Sequence, residues 1–405
     1  MNKVIKKSLI AVIALTSIST SSFAADTLVE AFTNGKVKGD IKSYYFDENY
    51  DSANKSDNSI WVNGGSLNYV TDSFMGLKLG TTFQTAHVAS VDDDTSKQAK
   101  TMDGSGSVLS EAYLDYTYKN TNFKGGRQFI SLPLIDGSGS RLIKESFEGY
   151  FVTNTDIPDT SISLGKVTKY QTRTDSVTSQ TNSASFSNTD VNDGDVGGFN
   201  KIGTDGAVSL YIENKSIKNL TLQGHYVDFI DEVQALYVDG EYKFGGEFKP
   251  FVAAQYYNSN YDLASKDDSS LYGYKVGATF FTVDLHAAYT STDDKGNVIR
   301  GIGEAATASF TSSTSTVGNY TAGTDSWQIG ASKKFGNLTT KASFTNSDSL
   351  LIKDDLKQTY LGAKYKFSGA FKNLAVSTDY TIYNYGTGNN SKDKDELRLK
   401  AIYFF

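Results

Sequence analysis

The sequence predicts an all-β fold, a transmembrane antiparallel β-barrel of 18 strands whose third external loop folds into the lumen. Three observations support this fold class. Apolar and polar residues alternate with a period of two in many segments, and the connections between these segments are alternately short and long. The chain also ends in an alternating segment whose last residue is Phe405. Strands with lipid outside and water inside require such an alternation.

The first 24 residues form a predicted secretory signal peptide and not a part of the fold. Lys3, Lys6 and Lys7 precede an apolar run at positions 9–15, and small residues precede a cleavage site before Ala25. The run is shorter than the about 20 apolar residues that a membrane-spanning helix needs. Residues 25–405 are therefore predicted to be exported and to form a single barrel domain.

Composition excludes several classes of function. Removing the signal peptide takes away three lysines and no acidic residue, which leaves 36 basic and 46 acidic residues and a net charge of −10. This charge argues against a nucleic-acid partner. Because the chain has no cysteine, zinc–thiolate sites and thiol nucleophiles are impossible. We expect no cofactor and no metal site.

The predicted strands begin with 36–46, where Lys38 and Lys42 share one face and Val37 and Ile41 share the other. Clear alternation recurs in eight further segments: 77–85, 109–118, 233–244, 271–280, 283–292, 327–335, 338–345 and 359–367. It is weaker in eight more: 59–71, 122–130, 147–154, 160–170, 206–214, 220–229, 249–257 and 373–385. The final strand is 395–405, and a terminal aromatic there resembles the recognition strand of bacterial outer-membrane proteins.

The connections alternate between short turns and long loops, as in outer-membrane barrels. Predicted short turns are 72–76, 119–121, 155–159, 215–219, 245–247, 281–282, 336–337 and 368–372. Predicted external loops are 47–58, 86–108, 131–146, 171–205, 258–270, 293–324, 346–356 and 386–393, with 230–232 an exceptionally short one. The segments 171–205 and 293–324 are rich in Ser, Thr, Asp and Asn and are predicted to be solvated. Asp190 to Asp195 is similar to a calcium loop, but its glycine is misplaced for an EF-hand.

The loop at 131–146 differs from the others because it is rich in apolar residues. A loop of this kind should pack against the protein, with its charged groups placed where water reaches them. We therefore expect it to enter the lumen and narrow the pore, with residues 137–139 as a flexible tip. Its apolar residues are Leu132, Pro133, Leu134, Ile135, Leu142 and Ile143, and its charged residues are Asp136, Arg141, Lys144 and Glu145.

Four stretches resemble the OprD-like family of outer-membrane porins, and within it the branch of major outer-membrane porins of epsilonproteobacteria. They are the opening strand at 32–45, Gly126-Arg127-Gln128 before the proline-bearing loop, Arg141-Leu142 followed by Phe147-Glu148-Gly149, and the turn at 157–160. The family usually has a proline near the position of Lys144, which is absent here.

The resemblance implies a passive channel in the bacterial outer membrane for small hydrophilic solutes and ions, with a preference for amino acids or carboxylates. Basic rows facing acidic ones would orient dipolar solutes. Arg127 is an even number of residues from Phe123 and Phe129 and so lies on the same face of the strand as they do. It reaches the lumen only if a β-bulge forms at Gly125-Gly126. The candidate pore residues are Lys38, Lys42, Lys124, Arg127, Arg141, Lys144, Arg398 and Lys400, opposed by Asp115, Asp136, Glu145 and Glu148.

Alternatives remain open at this stage. The pore charges could simply pair with one another and hold the loop against the wall. The long polar loops also fit a structural or adhesive surface protein, whereas an enzyme is not expected, because Asp284 and His286 share a face without a matched nucleophile. The predicted partners are outer-membrane lipid and lipopolysaccharide. Neither the solute, nor the ion selectivity, nor the choice between monomer and homotrimer follows from the sequence.

Overall fold

The structure is a computed structural model that describes residues 25–92, 101–175, 194–313, 319–349, 355–386 and 392–405. The predicted signal peptide lies outside the described residues. So does most of the segment similar to a calcium loop, at residues 190–193.

Eighteen strands of the described chain form one closed antiparallel sheet, which confirms the predicted fold class and strand number. The barrel closes because β1 pairs with both β2 and β18, so that Lys42 lies between Gly64 and Ile402. The strands are β1 Lys36–Tyr50, β2 Asn58–Val70, β3 Leu77–Val91, β4 Gly104–Tyr118, β5 Thr121–Gln128, β6 Ser146–Asn154, β7 Thr160–Gln171, β8 Ala207–Asn214, β9 Leu220–Phe229, β10 Val233–Lys243, β11 Phe251–Tyr261, β12 Ser269–Phe280, β13 Val283–Thr292, β14 Thr324–Phe335, β15 Leu338–Ser349, β16 Leu356–Lys366, β17 Leu374–Tyr385 and β18 Lys394–Phe404.

Smaller elements accompany these eighteen strands. A one-turn helix, α1 Leu28–Thr33, precedes β1 and is capped by Thr27, whose side chain accepts a hydrogen bond from Glu30 N. A 3-10 helix, Gly369–Phe371, lies in one short turn. Four very short strands lie within the long connections: Ser131–Leu132, Ile135–Asp136, Gly194–Asp195 and Phe199–Lys201. Among the described residues, no helix is long and apolar enough to cross a membrane.

The strands are longer at their external ends than the sequence pattern predicts. β1 continues to Tyr50 and β3 to Val91, and β4 already begins at Gly104. The reason is that the backbone ladder continues after the apolar alternation fades, as in the pairing of Glu48 with Glu396. Pairing needs only backbone groups, whereas the alternation of side chains is required only across the lipid.

The two faces of the wall follow the predicted alternation. On β1, Ile41 on the outward face is 62% exposed, whereas Tyr44 and Phe46 on the inward face are buried. An inward aromatic residue is buried only if something fills the lumen beside it. The inner surface of the barrel is therefore covered locally, and the covering segments define the candidate site.

Candidate functional site

The segment 129–145, called the third loop below, crosses the interior of the barrel. Leu134 N donates to His225 Nδ1 at 3.0 Å, and Lys144 N donates to Gln84 Oε1 at 2.9 Å. Lys400 Nζ donates to the carbonyl oxygen of Ser140 at 2.7 Å. These wall residues belong to β9, β3 and β18, and β9 lies on the opposite side of the closed sheet from β18. A loop that bonds to all three must span the lumen.

His225 holds the third loop as a neutral ring. A backbone N–H can only donate, so Nδ1 must be the unprotonated nitrogen that accepts from Leu134 N. The proton then lies on Nε2, which is 2.9 Å from Ser209 Oγ. Both ring nitrogens are thereby satisfied in a buried position. This assigns His225 a structural role that the sequence did not indicate.

The two arms of the third loop pack on different parts of the wall. Leu132, Leu134 and Ile135 belong to a buried apolar cluster that includes Tyr237 and Tyr257. On the other arm, Leu142 and Ile143 belong to a second cluster; its wall residues are Tyr44, Phe46, Ile60, Val62 and Ala86. Full burial of such a side chain contributes about 1.5–3 kcal/mol. The loop is thus fixed at both sides of the lumen.

The described parts of the loop at 293–323, residues 293–313 and 319–323, also enter the lumen, which corrects the expectation that residues 293–324 form a solvated external loop. Asp136 N donates to Ile302 O at 3.1 Å, and Ile302 N donates to Leu134 O at 3.0 Å, so the two loops are joined backbone to backbone. Polar groups of this loop bond to the wall: Thr311 Oγ1 lies 2.7 Å from Thr290 Oγ1, and Phe310 N donates to Gln255 Oε1 at 2.7 Å. The sequence contained one indication of this packing, the apolar residues Val298, Ile299 and Ile302, which are buried in the larger cluster.

A buried ion pair ties the two loops together. Arg173 Nε lies 3.3 Å from Glu145 Oε1, and the other carboxylate oxygen accepts hydrogen bonds from Ser138 N at 2.8 Å and Glu304 N at 2.9 Å. Burial raises the pKa of Glu145, and the charge of Arg173 opposes that rise. Sequence reasoning missed Arg173, because nothing local distinguishes it in a polar stretch just after β7.

Cations gather where the tip of the third loop meets β1 and β18. Lys42 Nζ donates to Leu142 O at 3.3 Å, and Arg141 Nη1 donates to the hydroxyl of Tyr44 at 3.1 Å. Arg398 is buried in an ion pair with Glu396, whose carboxylate lies 2.6 Å from Arg398 Nη2. The predicted lumen residues Lys42, Arg141, Arg398 and Lys400 therefore lie inside the barrel, and Lys42 and Lys400 also anchor the loop backbone.

Acidic groups lie where the two loops meet. Asp136 is partly buried in the third loop, and this burial raises its pKa from 3.8 to about 7, against the opposing effects of a hydrogen bond from Ser131 and the charge of Lys144. Lys144 Nζ lies 4.2 Å from the centre of the Phe129 ring. By contrast, Asp115 accepts a hydrogen bond from Asn122 at 2.6 Å near the short turn, away from this junction.

The structure contradicts the predicted positions of Arg127 and Glu148. Gly125 and Gly126 each pair one-to-one with residues of β4 and β6, so no bulge forms and Arg127 stays on the outward face with Phe123. Glu148 is its cross-strand partner and faces the same way. The bulges lie elsewhere: one extra residue, Ser110, opposes the Thr82–Phe83 step, and Thr168 is the extra residue on β7.

The tip of the third loop is also shifted from its predicted place. Gly137 and Ser138 are buried, and Gly137 N donates to Ile130 O at 3.1 Å. A Cβ on Gly137 would lie 2.4 Å from Glu145 O, so this glycine permits a close backbone approach rather than mobility. The exposed residues are Gly139 and Ser140.

Comparison with known proteins adds three findings. A family model described as outer membrane porin, OprD family, matches residues 30–405. No curated protein matches the chain.

Similar solved structures include OccAB1 of Acinetobacter baumannii, with 14% identity, a TM-score of 0.76 and coverage of 93% of this chain and 97% of that one. They also include OccK9 (OpdG) of Pseudomonas aeruginosa, with 16% identity, a TM-score of 0.77 and coverage of 93% and 99%. A third is OpdK of Pseudomonas aeruginosa with vanillate, at 14% identity, a TM-score of 0.74 and coverage of 92% and 99%. At these identities the structures show a shared fold.

Proposed function

Because the chain belongs to the OprD family of outer-membrane porins, it is a channel of the outer membrane, and we propose that its solutes are small carboxylates and amino acids. We further propose that the third loop and the 293–323 loop together form the narrowest part of the channel. The observation that carries both proposals is the junction of these two loops in the lumen, with cations at one edge and carboxylates at the other.

The junction suits a constriction because it is held rigidly. Backbone hydrogen bonds join Asp136 to Ile302, and the buried pair of Glu145 and Arg173 locks the loops to the end of β7. A loop that moved freely could not set a pore radius. Burial on both arms removes that freedom, and the polar groups that remain along the passage select among solutes.

The charges suit an anionic or dipolar solute. Lys42 and Lys400 lie at the edge of the third loop, whereas Asp136 and Glu304 lie where the two loops meet. Opposite charges across a narrow passage align a dipole and disfavour apolar molecules, because the passage strips water from whatever enters. Vanillate in the OpdK structure is a small aromatic carboxylate, which supports this solute class for the present chain.

Flux of a matched solute pair tests the proposal. Benzoate and benzamide have similar sizes, and only benzoate is charged. In liposomes, Lys42→Gln with Lys400→Gln should reduce benzoate flux several-fold and leave benzamide flux unchanged, because the substitutions remove two positive charges and keep polar side chains beside the loop. Lys38, a candidate pore residue from the sequence, lies on the same face of β1 but near its periplasmic end and away from the two loops, so Lys38→Gln is the control. An unchanged ratio of benzoate to benzamide flux would reject the role of these cations.

We also propose that residues 1–24 act as a signal peptide that is removed before Ala25, and that the chain falls in the epsilonproteobacterial branch of the family.

We further propose that transport is the whole activity of the protein. The contacts of His225 and His286 support this proposal. His225 is occupied by Leu134 and Ser209, and His286 Nε2 lies 3.0 Å from Gln328 Oε1. Membership in a porin family favours a channel over an adhesive surface protein.

A further inference from the structure

A group of charged residues lies on the outward face of the barrel, on the side opposite the pore. The register places Arg127, Glu148, Lys169 and Lys201 in one row across β5, β6, β7 and the short strand at 199–201. Lys166 is the next outward residue before Lys169 along β7, because Thr168 is the bulge residue and Val167 faces inward, and Lys166 is exposed on the same face. Arg127, Lys166, Lys169 and Lys201 are called the outer basic patch below.

The outward direction of the patch follows from its neighbours. Arg127 lies on the same face of β5 as Phe123, and Lys166 of β7 is the cross-strand partner of Tyr150 on β6. Both aromatic residues are exposed apolar groups of the outer surface. The inward residues beside them, such as Gln128 and Phe147, are buried in the lumen. The patch therefore faces the membrane or its surface and takes no part in the pore.

Contacts within the patch hold two of its cations in fixed positions. Lys169 Nζ lies 2.9 Å from Glu148 Oε1, and Arg127 Nε lies 3.7 Å from Glu148 Oε2. The Arg127 guanidinium also lies 4.3 Å from the centre of the Phe199 ring, and its Nη1 donates to Leu109 O at 3.3 Å. The Glu148 carboxylate thus contacts two cations that lie side by side. The four positive charges of the patch and the one negative charge of Glu148 give a net charge of +3.

The position of the patch along the strands matches a lipid headgroup. Beneath it, toward the short turns, the outward residues Phe123, Val152 and Leu164 are apolar and exposed, as acyl chains require. The patch begins above them, toward the external ends of β5, β6 and β7. At the external ends of several other strands an outward residue is acidic: Asp47 on β1, Asp325 on β14, Asp348 on β15 and Asp395 on β18. An anion would therefore be attracted to this sector of the rim.

We propose that the outer basic patch binds the phosphate groups of the phosphorylated glycolipid of the outer leaflet. Arginine and lysine bind phosphate by charge-assisted hydrogen bonds, and the planar guanidinium of Arg127 can contact two phosphate oxygens at once. The acyl chains of the same molecule would cover Phe123, Val152 and Leu164. A second copy of the chain fits less well, because a two-fold contact would place one positive patch against another.

This inference rests on the barrel being embedded in the outer membrane, and it does not depend on which solutes pass. Delipidated protein in detergent is titrated with diphosphorylated lipid A, with the same lipid lacking phosphate, and with inorganic phosphate, and binding is counted by native mass spectrometry. The test variant carries Lys166→Gln, Lys169→Gln and Lys201→Gln. The control carries Lys333→Gln and Lys357→Gln, two outward lysines of β14 and β16.

Each basic residue at an anionic lipid surface contributes roughly fivefold to affinity, so the triple variant should bind diphosphorylated lipid A on the order of 100-fold more weakly. The control should bind like the parent, and dephosphorylated lipid should not distinguish the variants. Equal loss in both variants, or equal binding of the dephosphorylated lipid, would overturn the proposal. Tight binding of inorganic phosphate alone would overturn the lipid assignment, and a lower oligomeric state of the triple variant would identify the patch as a subunit contact. Single-channel conductance of the same variants, expected to be unchanged, keeps this result separate from the proposed solute class.

Discussion

Replacement of Arg173 by methionine tests how the two inner loops are held. Glu145 is 1% exposed and Arg173 is 5% exposed, and their ion pair has a separation of 3.3 Å. Without Arg173, the Glu145 carboxylate keeps hydrogen bonds from the N–H groups of Ser138 and Glu304 and from the Tyr170 hydroxyl, but no partner of opposite charge balances it there. Removal of one partner of a buried ion pair destabilises a protein by about 3–5 kcal/mol. Since 1.36 kcal/mol corresponds to a factor of ten, the released state of the loops should become roughly 100- to 5000-fold more populated.

The assay is single-channel recording in a planar bilayer. The Arg173→Met variant should show frequent transitions to a larger conductance, and these should become rarer as the pH is lowered, because burial raises the pKa of Glu145 and the neutral carboxyl needs no ionic partner. Adding Glu145→Gln should restore parental recordings, since no buried charge then lacks a partner. Arg127→Met is the matched control, because it removes an arginine from a partly exposed outward pair worth at most about 1 kcal/mol. A folded Arg173→Met channel with parental recordings would refute the reasoning.

Two further predictions follow from the site and the wall. Because the pKa of Asp136 is raised to about 7, cation preference measured by reversal potential should increase from pH 6 to pH 8, and Asp136→Asn should remove that dependence. The stability of the fold should change in the other direction with pH. The folded Asp136 carboxyl holds its proton more tightly than the unfolded one, so its contribution to stability decreases as the pH rises from 3.8 to about 7. Val238→Lys and Leu361→Lys on the outward face should each destabilise the barrel by about 2–4 kcal/mol, whereas Lys364→Glu on the inward face should be tolerated; equal loss of folded barrel in urea titrations would contradict the assigned faces.

The barrel itself could be predicted from the sequence because lipid imposes a strict condition on every strand. An outward residue such as Leu361 must be apolar, and the next residue must differ, so the pattern repeats along the chain. The same parity placed Arg127 outward, and the bulge proposed at Gly125-Gly126 to bring it inside was wrong. Gly126 reaches a φ of 121° without any change in register. Its freedom is used for a close approach to β4 and not to insert a residue.

The interior could be predicted only in part. The third loop was identifiable because apolar residues such as Leu134 and Ile135 have no reason to lie in bulk water. The 293–323 loop was missed although it contains Val298, Ile299 and Ile302, because its many Ser, Thr and Asn residues bond equally well to external water and to polar groups of the wall. The pairing of Glu145 with Arg173 depends on a contact between separate loops, and no local pattern indicates such a contact.

Thiol modification at the tip of the third loop tests most directly whether the inner loops form the narrowest part of the channel. The chain has no cysteine, so Ser140→Cys introduces a unique reactive group at an exposed position of the tip. Reaction with a methanethiosulfonate that bears a trimethylammonium group should reduce single-channel conductance and shift the reversal potential. The same reagent on Asn54→Cys, in an external loop, should change neither quantity. If modification of Ser140→Cys is complete by mass and conductance is unchanged, the constriction lies elsewhere and the account is wrong.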